Sequence, residues 1–459
     1  MKRAAASGAA GVLLLLGAAP AAAQEPPITR LLAELVAASA VIGQGTTGDH
    51  REHFVPGLNT VGVLHELNRA MALQAATFPM GPTSAVVVSR RRDAAEQAPL
   101  FGAGYTDTAF SLGARRLLFG VAYQTTTFDT FDDLDLRASP INLYIPHAPV
   151  TGDESDRDMM QQVVSLRLNR KVIAFSLDYG WRNRLDVGVV IPIVQMAADA
   201  RVTTNLVRTA SPQIEAVHEF DVIERANRTL PRYCAPLEIP PVNPLTLQCH
   251  GSSTARGIGD IVFRGKVNVV GAATAALAVG VDVRLPSGNA DELIGLGALQ
   301  VKPAVIFSVD AGRVGARLRA DYTWSEGELS ERLADSLPGV DRSVPDEIGL
   351  NVGIDADIAP RTTIALDLIG RLISDLQQFS TGTVVFPSRG PGGLPSASFI
   401  GDDALRLDGT RDLTQIMAAL GLRADIPGGI MAQVSALFPV SGGGLRPQPM
   451  AVFSLTKRY

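Results

Sequence analysis

Cys234 and Cys249 are the residues with the most definite chemistry in this sequence. They are its two cysteines, and both lie in a polar, proline-rich segment. Two thiols are too few for a disulfide-dense scaffold or a four-cysteine metal site. In an oxidising compartment such a pair predicts a disulfide. The alternative is a metal site with His250, which would need further ligands.

Histidines and carboxylates give weaker signals. His50 and His53 flank Glu52, which superficially resembles a metal site, but a polar surface explains them better. An acidic run could bind calcium through oxygen atoms but lacks the EF-hand pattern, so we interpret it as a solvated rim; it contains Asp129, Asp132, Asp133 and Asp135. The confidently predicted strands carry no histidine, which argues against a Ser–His hydrolase. The sequence therefore predicts no catalytic residue, metal site or cofactor, and we do not expect an enzyme.

Composition excludes several classes of protein. The chain has 459 residues, of which 46% are hydrophobic and 19% charged, and its net charge is −5. It is too apolar for a disordered protein. It also has no basic excess that would favour nucleic acid as a partner.

The first 23 residues have the pattern of a bacterial signal peptide. Lys2 and Arg3 precede a short apolar run, and Ala21 to Ala23 form a small-residue cleavage site before Gln24. The rest of the chain has no apolar run of about 18 residues that would predict a membrane-spanning helix. We therefore expect export from the cytoplasm without a helical anchor.

Most of the remaining chain alternates with a period of two. From 273 to 285 the odd positions are all apolar, whereas the even ones are small, polar or charged. In 314–324 and 348–358 the even positions are the apolar ones, and the odd positions are small, polar or charged. Such alternation is typical of β-strands with one apolar face.

The connections alternate between short turns and long polar loops, such as 207–256 and 375–410. This rhythm predicts a transmembrane antiparallel β-barrel of the bacterial outer membrane, with its apolar face in contact with lipid. We predict an all-β fold with about fourteen strands. The predicted strands are 83–92, 101–113, 116–131, 160–180, 184–206, 257–270, 273–286, 298–310, 313–325, 346–358, 361–374, 411–424, 428–438 and 448–459. In 160–180 the apolar positions change from even to odd, which suggests a bulge or a break.

The opposite face of these strands is predicted to line the lumen. Its charges are of both signs, so ion pairs between neighbouring strands are expected. The predicted lumen-lining residues are Arg264, Lys266, Asp282, Arg284, Arg317, Arg319, Asp321, Asp355, Asp357, Asp367 and Arg371.

Residues 24–82 differ from the predicted barrel, 83–459. Ile28, Leu31 and Leu35 recur at helical spacing after Pro27, which predicts a short amphipathic helix. Such a segment could fold into the lumen as a plug, where we expect it to bury against small residues such as Gly280, Gly349 or Gly353. The alternative is a periplasmic arm packed beneath the barrel.

The C-terminus has the pattern of an outer-membrane insertion signal. Phe453, Leu455 and the last residue, Tyr459, share one face of the predicted final strand. This alternation resembles the signal that is read by the barrel assembly machinery, a predicted partner. Lys457 departs from the pattern, although a lysine at the membrane edge can extend its ammonium group to water.

Several short motifs carry a family resemblance over roughly residues 50–459. They are Thr77-Phe78-Pro79-Met80-Gly81, Gly257-Ile258-Gly259-Asp260-Ile261, Asp282-Val283-Arg284-Leu285-Pro286-Ser287-Gly288, Leu293-Ile294-Gly295-Leu296-Gly297, Asp367-Leu368-Ile369-Gly370-Arg371 and Gly444-Leu445-Arg446-Pro447. In this order they resemble the outer-membrane transporter-like family grouped with the meta-pathway of phenol degradation. That family is similar to the long-chain fatty-acid transporters, a likeness which implies a fourteen-stranded barrel with an N-terminal plug.

The expected function is passive diffusion of small hydrophobic or aromatic molecules across the outer membrane. The main alternative is a structural or surface-interaction barrel, closed by its plug, whose long loops bind an external partner. A periplasmic lipid-binding β protein is a third possibility.

Overall fold

A computed structural model describes residues 26–40, 44–45, 48–49, 54, 58–80, 105–132, 134–138, 141–147, 158–207, 234–236, 245–327, 343–386 and 399–459. The predicted signal peptide, 1–23, and the first predicted strand, 83–92, lie outside these ranges.

The described residues form two α-helices, a short 3-10 helix at Ala290–Glu292 and a series of β-strands. The α-helices are α1 (Ile28–Ser39) and α2 (Leu58–Thr77). The strands are β1 (Gln44–Gly45), β2 (Gly48–Asp49), β3 (Leu117–Phe131), β4 (Leu134–Asp135), β5 (Ile141–Pro146), β6 (Met159–Arg182), β7 (Leu185–Val207), β8 (Cys234–Pro236), β9 (Thr246–Ile258), β10 (Val262–Gly271), β11 (Ala275–Arg284), β12 (Leu299–Ala311), β13 (Val314–Glu326), β14 (Glu347–Ala359), β15 (Thr362–Phe386), β16 (Phe399–Ile426), β17 (Ile430–Pro439), β18 (Leu445–Pro447) and β19 (Met450–Arg458).

The long strands form one closed antiparallel barrel. Its wall runs through β3, β6 and β7, continues with β9 and β10 in a single position, and passes through β11 to β17 and β19 back to β3. The ladder from Val452–Gln124 to Arg458–Leu118 closes the ring.

The described residues form a closed wall of twelve strands, so the predicted number of fourteen is wrong. Because β19 already pairs with β3, the wall offers no free edge to further strands. The described part of the second predicted strand, 101–113, is not a strand. Conversely, β15 and β16 extend well into the predicted loop 375–410.

The apolar residues that alternate with a period of two in the sequence are the side chains that point outward from the wall. In β13, Val314, Leu318 and Tyr322 are 47%, 41% and 45% exposed, whereas Arg317 and Arg319 point inward and are buried. This is the reverse of a water-soluble sheet. An outer face of this kind is stable when it is covered by lipid.

Strand β6 is continuous over 160–180, so the predicted bulge or break is wrong. Its ladder with β7 runs without a register shift from Met159–Val207 to Gly180–Asp186. Apolar residues change parity because one half of the strand has apolar side chains pointing inward, such as Val164 and Leu168, and the other half has them pointing outward, such as Leu177.

The predicted strand 257–270 is in fact divided between β9 and β10 at residues 259–261. Asp260, at this break, is 2% exposed and accepts hydrogen bonds from the backbone N–H groups of Gly288 (3.0 Å) and Leu296 (2.8 Å). A buried carboxylate thus fixes the neighbouring loop to the wall.

Among the described residues, neither helix is long and apolar enough to cross a membrane.

Candidate functional site

The predicted lumen residues of β13 lie in a buried charge cluster. Arg317 donates from Nη2 to Asp355 Oδ1 at 2.5 Å. Arg319 donates to Asp282 Oδ2 (2.8 Å) and Asp321 Oδ2 (3.0 Å), and it also bonds Asp107. One guanidinium therefore joins three carboxylates.

The other predicted lumen residues also lie on the inward face, and each has a polar partner. The contacts are Arg264 Nε to Asp282 Oδ1 (3.9 Å), Lys266 Nζ to Asp186 Oδ2 (3.5 Å), Arg284 Nε to Asp260 Oδ2 (2.9 Å), Arg371 Nη2 to Glu347 Oε1 (2.7 Å), the backbone N–H of Thr106 to Asp367 Oδ1 (3.2 Å), and Thr363 Oγ1 to Asp357 Oδ1 (2.8 Å). The lumen wall is therefore strongly charged, and most of these charges are paired with an opposite charge within it.

Several of these partners were not predicted from the sequence. Asp186, Lys302 and Glu347 occupy inward positions of strands that the alternation does predict, so the same parity argument would have found them. Asp107 could not be found in this way, because it belongs to no strand.

Asp107 belongs to a segment that we call the luminal strap, residues 105–112. Wall side chains hold it in an order that follows the barrel wall. They are Asp367 of β15 to Thr106 N (3.2 Å), Arg319 of β13 to Asp107, Ser308 Oγ of β12 to Ala109 N (2.9 Å), Lys266 Nζ of β10 to the carbonyls of Thr108 (2.9 Å) and Phe110 (3.0 Å), and Asp186 Oδ2 of β7 to Leu112 N (3.0 Å). The strap thus follows the inner wall from β15 to β7.

These contacts explain why 101–113 was wrongly predicted as a strand. The backbone polar groups of the strap bond wall side chains instead of a neighbouring strand, and a local alternation cannot distinguish the two. Burial raises the pKa of Asp107, but Arg319, Arg264 and Lys266 outweigh that effect and hold the pKa below its usual value.

The C-terminal end of α2 is held from several sides of the lumen. Its bonds come from Arg284 of β11 to the carbonyl of Ala76 (2.8 Å), Arg371 of β15 to Thr77 Oγ1 (2.8 Å), Arg170 of β6 to the carbonyl of Phe78 (3.4 Å), and Gln124 of β3 to the carbonyl of Pro79 (3.1 Å). The carbonyls at a helix C-terminus carry partial negative charge and lack intrahelical partners, so arginine donors stabilise them.

Helix α1 buries its predicted apolar stripe. Ile28, Leu31 and Leu35 are 4%, 1% and 0% exposed, and the helix packs against β7 and β9. Ser253 Oγ donates to the carbonyl of Pro26 (2.7 Å), and Gln162 Nε2 to that of Val36 (2.8 Å).

The glycines that we expected beneath α1 have other neighbours. A Cβ at Gly349 would collide with the carboxylate of Asp321, and one at Gly353 with that of Asp367. At Gly280 it would meet the carbonyl of Gly265. The first two glycines therefore leave room for the charge cluster and for the anchor of the strap.

Three cavities follow one another through the interior. The wall cleft, about 20 Å³, lies where β17 stops pairing with β16 and is lined by residues that include Phe78, Ile416, Pro439 and Leu445. The central cavity, about 190 Å³, shares Pro79, Ile369 and Arg371 with the wall cleft. The strap cavity, about 50 Å³, shares Asp107, Arg264, Asp282 and Arg319 with the central cavity.

Cys234 and Cys249 form the predicted disulfide. They are opposite each other in the ladder between β8 and β9, and their Cα atoms are 3.9 Å apart. In the described part of the chain, no group of three or more potential ligands is placed to hold a metal ion.

The outer face defines the class of protein. Phe453, Leu455 and Tyr459 of the predicted insertion signal are 53%, 56% and 69% exposed. Lys457 donates to the carbonyl of Gly428 and lies 5.6 Å from the centre of the Tyr459 ring, so its ammonium group is held by polar and aromatic neighbours. A closed barrel with an apolar outer face and a charged interior is an outer-membrane β-barrel.

No family model and no curated protein matches the sequence. The chain is similar to the COG4313 outer membrane channel from Pseudomonas putida F1, at 11% identity and a TM-score of 0.40 over 78% of this chain and 100% of that one. It is also similar to a Pseudomonas aeruginosa FadL homologue (13% identity, TM-score 0.30, 89% and 99% covered) and to the Ralstonia pickettii toluene transporter TbuX (12%, 0.25, 76% and 90%). The narrower resemblance to the phenol-degradation group has no counterpart among these structures and stays a prediction.

Proposed function

We propose that this protein is a passive outer-membrane channel for small hydrophobic or aromatic molecules, and that it catalyses no reaction. The observation that carries the proposal is the series of three cavities. Each cavity shares lining residues with the next, so the three mark a route through the interior that would have to widen at the wall cleft and the strap cavity for a solute to pass.

The size and lining of these cavities support this class of solute. The wall cleft is lined mostly by apolar side chains, among them Phe78, Met417 and Leu445. The central cavity, about 190 Å³, exceeds the roughly 150 Å³ of an engineered cavity that binds benzene. A single ring with a small substituent therefore fits.

We propose further that residues 24–82 are a luminal plug rather than a periplasmic arm. The donors that hold the end of α2 come from β3 and β6, from β11 and from β15, which lie roughly a third of the wall apart. Contacts from such separated strands support a position of this helix end across the lumen. The plug would leave the three cavities as the remaining passage, lined by the predicted charged residues.

We propose that Phe453, Leu455 and Tyr459 are recognised by the barrel assembly machinery before they contact lipid. Their outward orientation on the last wall strand supports this role.

Uptake by whole cells tests the channel, because apolar solutes cross simple phospholipid vesicles unaided. The initial uptake of radiolabelled toluene is measured in a strain without general porins, with and without the protein. Asn351 lines the central cavity. Asn351→Trp would fill the cavity and should reduce protein-dependent uptake by about tenfold, whereas the matched Asn351→Ala should retain it.

Equal uptake with and without folded protein in the outer membrane would refute the channel. The alternative, a structural barrel that binds an external partner through its loops, would then be preferred.

A further inference from the structure

The outer face of β6 changes from apolar to polar partway along the strand. Its outward side chains are apolar from Trp181 to Ile173, a length that matches the roughly 9–11 residues with which a tilted strand crosses a membrane. Ile173 lies opposite Ile193 of β7, which in turn lies opposite Ile258 of β9. This isoleucine row marks the end of the apolar band on this side of the barrel.

Four basic side chains follow beyond the isoleucine row, on outward positions of the same three strands. We call them the basic patch; they are Arg167 and Lys171 of β6, Arg201 of β7 and Arg256 of β9, and all four are exposed. In the described part of the chain, none of the four forms an ion pair. Their positive charges are therefore available to a ligand outside the wall.

The register of the strands brings these cations close together. Lys171 and Arg256 share one row, on either side of Gln195, so their Cα atoms are about 10 Å apart. Arg167 and Arg201 are diagonal neighbours in the ladder between β6 and β7, about 7–8 Å apart. Long basic side chains at these separations can reach the same anionic group or two neighbouring ones.

Negative charge is scarce on this part of the wall. Beyond the isoleucine row, Asp199 is the one carboxylate on the outward positions of β6, β7 and β9, and its Oδ2 lies 2.9 Å from His250 Nε2. On the far side of the barrel, the same end of the wall carries exposed carboxylates, Glu326 of β13 and Asp375 of β15. The basic patch is therefore a local excess of positive charge.

We propose that the basic patch binds the phosphate groups of a phosphorylated glycolipid, the lipopolysaccharide of the outer leaflet. The predicted topology places the short turns in the periplasm, so the patch lies at the outer edge of the apolar band, where lipid headgroups begin. Cations at such a surface are attracted to anionic lipid, and a guanidinium group can donate two hydrogen bonds to one phosphate. Acyl chains of the same lipid cover the isoleucine row. The inference does not depend on the proposed channel, since the patch lies outside the wall.

Binding is measured on the purified full chain in detergent, by native mass spectrometry with lipid A as the probe. Diphosphorylated lipid A is compared with lipid A from which both phosphates have been removed, and with phosphatidylglycerol, an anionic lipid without the sugars. The diphosphorylated form should bind about tenfold more tightly than either of the others.

Arg167→Gln/Arg201→Gln should weaken the binding of diphosphorylated lipid A by about tenfold and leave that of the dephosphorylated form unchanged. Arg167→Lys/Arg201→Lys keeps both charges and should bind more tightly than the glutamine variant. The matched control is Arg313→Gln/Arg361→Gln, which removes two exposed arginines from the short turns at the opposite end of the barrel and should bind as the wild type does. Heat-modifiable gel migration checks that each variant is folded.

Equal affinity for the dephosphorylated lipid would overturn the inference, and equal affinity for phosphatidylglycerol would refute the recognition of a glycolipid. Unchanged binding in Arg167→Gln/Arg201→Gln, or an equal loss in the control, would refute the basic patch as the site. If the first glutamine variant does not fold, Lys171→Gln/Arg256→Gln tests the rest of the patch with the same expected loss.

Discussion

We expect the luminal strap to narrow the lumen, and the variant Asp186→Ala tests this by removing an anchor of the strap. Asp186 is 7% exposed, and its carboxylate accepts hydrogen bonds from Leu112 N (3.1 and 3.0 Å) and from Ser111 Oγ (2.8 Å). It also pairs with Lys266, which holds the carbonyls of Thr108 and Phe110. One carboxylate thus anchors the end of the strap directly and through Lys266.

The loss of stability in Asp186→Ala depends on the charge of Lys266, which remains when the carboxylate is removed. Breaking a buried ion pair by removing one partner costs about 3–5 kcal/mol, because the other charge stays buried. Lys266 keeps its two carbonyl acceptors, which favours the lower end, about 3 kcal/mol of the free energy of unfolding. Once released, the strap no longer encloses the strap cavity, so the single-channel conductance should rise.

Urea unfolding in lipid vesicles and planar-bilayer recordings measure the two effects. In Asp186→Ala/Lys266→Met the unpaired cation is gone, so stability should partly recover while conductance stays high. Asp425→Ala removes an inward carboxylate from β16, away from the strap, and should leave conductance nearly unchanged. Wild-type conductance in a folded Asp186→Ala protein would refute the reasoning.

Four further outcomes are expected. Val279, 49% exposed in β11, faces lipid, so Val279→Arg should cost about 2–4 kcal/mol of stability in vesicle unfolding, and no change would place that face outside the membrane. The lowered pKa of Asp107 means that its stabilising charge is present above the unfolded value of about 3.9 and is lost as the pH falls through the folded one. Protonation of Asp107 should therefore raise conductance below about pH 4, and Asp107→Asn should remove this part of the pH dependence. Deleting residues 25–50 while keeping the signal peptide should raise conductance, and a folded deletion variant with wild-type conductance would contradict the plug. A single cysteine at Ala311, in a background without native cysteines, should label only from the periplasm, and external labelling would reverse the topology.

Local alternation in the sequence was enough to predict most of the wall strands and their faces, although β9 lies mostly in the predicted loop 207–256. A strand has a side-chain period of two whatever lies beside it, so the outward apolar face of β13 and the inward position of Arg319 can be read locally. The disulfide could also be predicted, because the chain has two cysteines.

The number of wall strands and the construction of the lumen depend on long-range contacts. Residues 105–112 lie in a predicted strand, yet their backbone bonds side chains of four wall strands far away in the sequence. Whether an extended segment joins the wall depends on a free edge, and β19 already occupies the edge of β3. The apolar parity of β6 likewise depends on which part of the strand faces the interior and which faces lipid. The sequence by itself therefore determined which faces are apolar, whereas only the tertiary structure decided what each face contacts, because burial is a property of neighbours that lie hundreds of residues apart.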